Sequence, residues 1–347
     1  MRGAKAPRTH GSRRALALAL AALALLAAGC GSEKDVLVPP AQRAFTVALD
    51  SPTNATHAAL YTASSEGDFG DVGLQVVMAT PQTPAQPLQL LEQGRADVAI
   101  SHEPEVLIAR DRGAKIVSIA ALVQRPLASI IALPGSPVRS VATLAGRSVA
   151  TSGLPFQTAL LRAALAGAAV SPASVRVSDV GFQLNGAITS GAVDATFGGF
   201  WNYQATQLRA AGRRPTVIPI DQAGIPRYDE LVLVVREEEA RYRGEELRSF
   251  LQALSQGERS VRADPAKAAT TLVRADPSLQ PAVQLASIRQ TVPVSEPAES
   301  GEPFGWQSPA EWAAFGGWMF SRHIVAGNPN AAPFPAFTNE FLPGQGI

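Results

Sequence analysis

From Phe45 onward the chain alternates short apolar runs with longer polar-and-apolar stretches. Phe45–Leu49, Leu74–Ala79, Val98–Ser101 and Ile116–Leu122 read as strands; His57–Ser65, Pro84–Gln93 and Pro104–Arg112 read as the helices between them. Strand–helix–strand order predicts a mostly parallel sheet with helices on both faces, an α/β fold. The apolar run Ser129–Leu133 is broken by Pro134-Gly135-Ser136-Pro137, and a second series follows. It comprises strands at Ser148–Thr151, Val175–Val177, Ala195–Gly198 and Thr216–Ile220, with helices at Pro155–Ala166, near Ala187–Ser190 and at Trp201–Ala211. A further apolar run, Leu231–Val235, precedes a largely helical remainder. There Asp264-Pro265 and Asp276-Pro277 predict capped helix starts, and Ser308-Pro309-Ala310-Glu311 predicts a capping box. Trp312, Phe315 and Met319 share one helical face and are expected in the core.

One eight-residue pattern occurs twice. Gly94-Arg95-Ala96-Asp97-Val98-Ala99-Ile100-Ser101 and Gly191-Ala192-Val193-Asp194-Ala195-Thr196-Phe197-Gly198 each place a helix-ending glycine, an aspartate and a short strand in the same order. In open α/β sheets ligands bind beyond the carboxyl ends of strands, so the segments that follow are the candidate site. In the first half these are Ser101, His102 and Glu103; in the second, Phe200, Trp201, Asn202, Tyr203 and Gln204. Trp201 is expected to face a ligand, and one of Phe200 and Tyr203 the core. Asn54, His57 and Tyr61 follow the first strand, and Gly153, Phe156 and Gln157 the first strand of the second series; both segments open helices, whose free amides suit polar groups. Aromatic faces with directional amides suit a small, flat, polar molecule.

The N-terminus changes the picture of location. Arg2, Lys5, Arg8, Arg13 and Arg14 precede fourteen apolar residues, Ala15 to Ala28, and then Gly29-Cys30. This is the order of a secretory signal, and the run is short for a membrane-spanning helix. Leu26-Ala27-Ala28-Gly29-Cys30 resembles a bacterial lipobox, which implies cleavage before Cys30 and lipid on its sulfur. Cys30 is the single cysteine, which excludes a disulfide or a cysteine-based metal site. Gly31 to Arg43, with Pro39-Pro40, reads as a tether. Loss of the five basic residues takes the formal charge from +1 to −4, which argues against nucleic acid as a partner. No two histidines stand at metal-ligand spacing, no nucleophile elbow or phosphate loop occurs, and neither a catalytic group nor a cofactor is expected.

Asn54 with His57 to Tyr61, Ser101 to Arg110, Ala121 to Leu127, Phe200 to Tyr203, Glu230 to Val234 and Phe337 to Leu342 carry a resemblance. Taken in order, they resemble the ABC-importer binding proteins of the thiamine-pyrimidine-precursor (ThiY-like) group, within the sulfonate and nitrate branch. The resemblance implies a type II periplasmic-binding-protein fold, with two Rossmann-like lobes, two hinge crossings and ligand between the lobes. The expected division is signal 1–29, lipidated cysteine and tether 30–43, one lobe from 44–130 with 230–347, and the other from 131–229. It also implies an extracytoplasmic, membrane-anchored monomer serving an ABC permease and its ATPase. Ser51 stands where the group has a tryptophan, and Gln204 where it has a glutamate that pairs with an aminopyrimidine. Gln204 thus suggests a ring with a carbonyl beside an N–H. Flavin-, sulfonate- or nitrate-like solutes, and a sensor without a transporter, stay open. The related pyrimidine synthases need a cysteine-rich iron motif and a lysine for pyridoxal phosphate; one cysteine and four lysines (Lys5, Lys34, Lys115, Lys267) disfavour that chemistry.

Overall fold

Two five-stranded sheets carry the chain, each built in the same spatial order. The first contains β1 (Arg43–Ala48), β2 (Leu74–Ala79), β3 (Val98–Ser101), β4 (Ile116–Val123) and, arriving late, β10 (Leu231–Arg236), in the order β2-β1-β3-β10-β4. The second contains β5 (Ala128–Ala132), β6 (Ser148–Thr151), β7 (Arg176–Asp179), β8 (Ala195–Phe200) and β9 (Thr216–Pro219), in the order β7-β6-β8-β5-β9. This computed structural model describes residues 1–4, 42–327 and 335–345; the apolar N-terminal run, Cys30 and the tether up to Ala41 lie outside the described residues. Among the described residues no helix is long and apolar enough to cross a membrane.

The sheets are mixed, and the reason is topological. β1, β2 and β3 run parallel, as do β6, β7 and β8. The antiparallel strand in each sheet is the first one after the chain has crossed from the other: β5 pairs antiparallel with β8 and β9, and β10 with β3 and β4. A strand entering from the far lobe comes in at the end where the parallel strands finish, so it runs back against them.

The repeated sequence pattern has a structural counterpart. Gly94 and Gly191 both take positive φ, +70° and +75°, which a side chain would strain. Asp97 exchanges two hydrogen bonds with Thr46 at β1: its amide donates to the Thr46 carbonyl and its carboxylate accepts the Thr46 amide at 2.7 Å. Asp194 does the same with Ser148 at β6, its carboxylate accepting at 2.8 Å. One aspartate per sheet therefore sets the register of the two central parallel strands.

The helices are α1 (Ala58–Glu66), α2 (Asp68–Asp71), α3 (Gln86–Glu92), α4 (Glu103–Asp111), α5 (Pro155–Gly167), α6 (Leu184–Thr189), α7 (Gln204–Ala210), α8 (Glu237–Tyr242), α9 (Gly244–Ala263), α10 (Pro265–Ala275), α11 (Pro281–Ser295) and α12 (Pro309–Ser321). β4 lies at a sheet edge, yet all eight of its residues are buried. Its outer backbone groups at Ser118 and Ala121 are taken by Ala336, Thr338 and Gly305, and Val294 accepts from Gln124 just beyond it, so the edge offers no template for another chain. α9 packs along α1 so tightly that a Cβ at Gly257 would lie 2.4 Å from the Ala59 carbonyl oxygen.

Two predicted caps differ. Asp264 caps α10 by accepting from Ala266 and Lys267 amides, as expected. Asp276 instead closes a turn onto Ser278, and α11 begins only at Pro281, because Pro277-Ser278-Leu279-Gln280 intervenes as a loop. Ser308 stands at the start of α12 without a side-chain cap bond, so the capping box is not formed there. Trp312, Phe315 and Met319 are buried as expected.

Candidate functional site

The carboxyl ends of β1, β3, β6, β7 and β8 converge on one cavity of about 240 Å³. From the first sheet it is lined by Asp50, Ser51, Asn54 and His102; from the second by Ser152, Gln157 and Gly198, and by Phe200, Tyr203, Gln204 and Gln207. Phe182, Gln183 and Asn185, in the turn after β7 and the start of α6, complete the second wall.

On the first wall the loop after β1 is braced internally. The Asn54 carboxamide oxygen accepts from the Thr56 amide and hydroxyl, both at 2.9 Å, while its nitrogen donates to Ser51 Oγ and the Pro52 carbonyl. His57 accepts the Asn54 amide at Nδ1, so its Nε2 proton goes to Asp50 Oδ1 at 2.8 Å. Burial alone would raise the Asp50 pKa; the hydrogen bond from His57, with the charge of His102 and the Ser51 hydroxyl, outweighs it and holds the carboxyl below its usual value. Asp50 therefore presents a carboxylate to the cavity.

His102 stands at the start of α4. Its Nδ1 faces the Glu230 carbonyl at 2.8 Å and the Glu230 carboxylate at 3.1 Å. Burial opposes its charge, yet Glu230, supported by Glu105 and Asp50, lifts its pKa to about 9. At neutral pH the ring is an imidazolium whose Nε2–H is not taken by another described residue. The same Glu230 carboxylate accepts the amides of Leu127 and Ala128, at 2.7 and 2.9 Å, and the Tyr228 hydroxyl. Leu127–Ala128 leads into β5 and Tyr228–Glu230 into β10, so one side chain ties both crossings together and touches a cavity-lining residue.

On the second wall, Gln157 in the first turn of α5 accepts the Ser152 amide and hydroxyl, at 2.9 and 2.8 Å. Gly198, at φ +94°, lets it sit there: a Cβ would come within 2.6 Å of Gln157 Nε2. Gln204 opens α7 and accepts the Phe200 amide at 2.9 Å. Asn185 donates to the Gln204 carbonyl and to Gln207 Oε1, each at 3.0 Å.

Of the twelve ligand-contact residues expected from sequence, Asn54, His102, Gln157 and Gln204 line the cavity. The other eight lie outside its lining. His57 is fully buried beneath Asp50. Tyr61 bonds to Thr53, and Ser101 to Glu105, whose pKa burial raises. Glu103 turns to the second crossing and accepts the Asp229 amide at 2.7 Å. Burial pushes the Glu103 carboxyl well up, and it lifts Asp229 to about 7 against the hydrogen bond from Trp312 Nε1. Gly153 is exposed, and Phe156 is in the core against the His102 ring at 4.8 Å. Trp201 packs on apolar residues of the first sheet and donates to the Pro126 carbonyl; Asn202 is fully buried and donates to Thr291. The aromatic assignment thus reverses: Phe200 and Tyr203 both line the cavity and Trp201 does not. Asp50, Phe182, Gln183, Asn185 and Gln207 were not anticipated. The loop after the first strand, already a candidate for Asn54 and His57, opens on Asp50, and the same rule applied to β7 reaches the Phe182–Asn185 turn.

Comparison with known proteins agrees with this architecture. The alkanesulfonate-binding protein of Xanthomonas axonopodis pv. citri, bound to MOPS, superposes with a TM-score of 0.66 at 18% identity, over 86% of this chain and 98% of that one. The periplasmic aliphatic sulphonate-binding protein of Escherichia coli gives 0.62 at 17%, over 82% and 89%. These share the two-lobed binding-protein fold. In sequence, the formylaminopyrimidine-binding protein of Halalkalibacterium halodurans is 32% identical over 276 residues, 79% of this chain and 83% of that protein. A 4-amino-5-hydroxymethyl-2-methylpyrimidine phosphate synthase of Legionella pneumophila is 21% identical over 86% of this chain and 92% of that protein. The family described as NMT1/THI5 like matches residues 54–268, more than half the chain and both walls of the cavity, and the chain belongs to that family.

Proposed function

We propose that this protein is an extracytoplasmic solute-binding lipoprotein of an ABC importer, which captures a small pyrimidine-like heteroaromatic molecule between its two lobes. The observation that carries the reading is the cavity itself. It joins a carboxylate and an imidazolium from one sheet to aromatic faces and carboxamides from the other. Its size suits a single-ring solute, and closure of two lobes around a guest is the motion this architecture provides. The 32% identity to a protein named for binding a formylaminopyrimidine supports the ligand class. The site reading assigns contact to Asp50, His102, Gln157 and Gln204, with Asn54 bracing the first loop.

The lipobox-like stretch ending at Cys30 supports anchoring by lipid at the outer face of the membrane, where a permease driven by its ATPase receives the solute. The synthase relatives suggest an enzyme as the second reading. Among the described residues, neither cysteine nor lysine lines the cavity, and the sole cysteine stands at the lipidation position, which favours binding over that chemistry.

A thermal-shift panel of pyrimidines, flavins, sulfonates and nitrate on the chain from residue 31 tests the reading. A pyrimidine at a hundred times its dissociation constant adds about 2.7 kcal/mol of stability. A melting temperature unmoved by every pyrimidine overturns the ligand class. Metabolic labelling with a radioactive fatty acid, lost in Cys30→Ser, tests the anchor.

A further inference from the structure

Three glutamines of the second wall are held the same way round. Backbone amides only donate, so the group that Ser152 N–H meets on Gln157, and that Phe200 N–H meets on Gln204, is the carboxamide oxygen. Gln207 is fixed one step removed. Asn185 donates to the Gln204 backbone carbonyl through Nδ2, and the same nitrogen reaches Gln207, whose oxygen must receive it. In each case the oxygen is turned to the protein, accepting two hydrogen bonds in Gln157 and one each in Gln204 and Gln207, and the Nε2 group has no partner among the described residues, although all three residues line the cavity. His102 adds a fourth donor, because Glu230 occupies its Nδ1 and leaves Nε2 to the cavity. Among the described residues Asp50 is the one carboxylate in the lining, with Oδ1 already bonded to His57.

We infer that the second wall selects its ligand by lone pairs. Gln157, Gln204 and Gln207 donate to acceptors on a heteroaromatic ring, the edge against Gln204 and Gln207 carries a carbonyl oxygen in place of an exocyclic amine, and the ligand's N–H goes across the cleft to Asp50. This deepens the proposed function and rests on it. An exocyclic amine on that edge would set donor against donor, leaving both unpaired in a shielded site. The carbonyl expected opposite Gln204 is kept; the N–H expected beside it moves to Asp50, because the Gln204 oxygen is turned to Phe200.

Calorimetric titration of the purified protein with 4-amino-5-hydroxymethyl-2-methylpyrimidine and with its 4-oxo counterpart tests the inference. The pair differs twice: the donor at C4 is exchanged for an acceptor, and one ring nitrogen of the 4-oxo compound carries the N–H that Asp50 would receive. The 4-oxo compound is expected to bind about tenfold or more tighter, in keeping with the discrimination a directed polar contact gives. Gln204→Glu keeps an oxygen for Phe200 N–H, so it folds, but it faces the cavity with an acceptor; it is expected to reverse the order of the two ligands. Tighter binding of the 4-amino compound, or an order unchanged in Gln204→Glu, overturns the inference while leaving pyrimidine capture intact. Failure of both compounds to bind overturns this inference, and a melting temperature unmoved by every other pyrimidine as well overturns the ligand class on which it rests.

Discussion

His102 and Glu230 make stability depend on pH in a calculable direction. The folded His102 ring titrates at about 9, against an ordinary value of 6.5. A group whose folded pKa is raised favours the folded state fully below the unfolded value, and that contribution disappears as pH rises through the folded one. The window is therefore pH 6.5 to 9. Each tenfold change in proton affinity is worth about 1.4 kcal/mol, so the full contribution is about 3 kcal/mol. His102 is 6% exposed, so solvent screening removes little of it. The perturbation is His102→Gln, which keeps an N–H for Glu230 but cannot titrate. Urea denaturation of both proteins at pH 6 and pH 9.5 gives two stability differences. The advantage of the wild type is expected to shrink by about 3 kcal/mol between them. Taking the difference matters, because Asp229 (about 7) and Glu258 (about 8) also lose stabilising protons as pH rises, and they do so equally in both proteins. A wild-type advantage that is constant across the range, or a His102 ring that titrates near 6.5 by NMR, would refute the assignment of Glu230 as its partner.

Other outcomes follow from single contacts. Gly198→Ala places a side chain at φ +94° and drives it into Gln157; stability should fall by about 1–2 kcal/mol in denaturant melts and solute affinity by tenfold or more, since Gln157 must leave Ser152. Gly257→Ala would gain about 1 kcal/mol in an isolated helix. Here its Cβ meets the Ala59 carbonyl, so overpacking of about 3 kcal/mol should leave a net loss of about 2, read as a lowered melting temperature. Asp229→Asn keeps an acceptor for Trp312; because burial raises the Asp229 pKa, the wild type loses stability relative to the variant as pH climbs from about 4 to 7, and parallel curves would count against the burial of that carboxyl.

Much of the fold was legible because its signals are local. Gly94 to Asp97 and Gly191 to Asp194 announce a helix end and a strand start within eight residues, and both aspartates prove to grip the neighbouring parallel strand. The site was legible as loops, less so as side chains. Asn54 and His57 sit in the right loop, but their polar atoms are spent on Ser51, Thr56 and Asp50, a closed network that spacing does not reveal. Trp201 looked like the ligand's platform, yet its indole N–H satisfies the Pro126 carbonyl at the first crossing, a partner 75 residues away. Asn185 and Gln207 reach the cavity because α6 and α7 lie side by side, and the antiparallel placement of β5 and β10 depends on where the chain crosses. Such facts belong to tertiary structure.

The late arrival of β10 has a consequence for synthesis. In the first sheet it lies between β3 and β4, so until residue 236 has left the ribosome β4 has no strand to pair with. The second sheet draws its five strands from one unbroken stretch and can be completed earlier. The amino-terminal half, made first, is thus finished last, and a nascent chain halted before β10 would carry an apolar eight-residue ribbon open on the side that β10 later fills, a natural client for a holding chaperone.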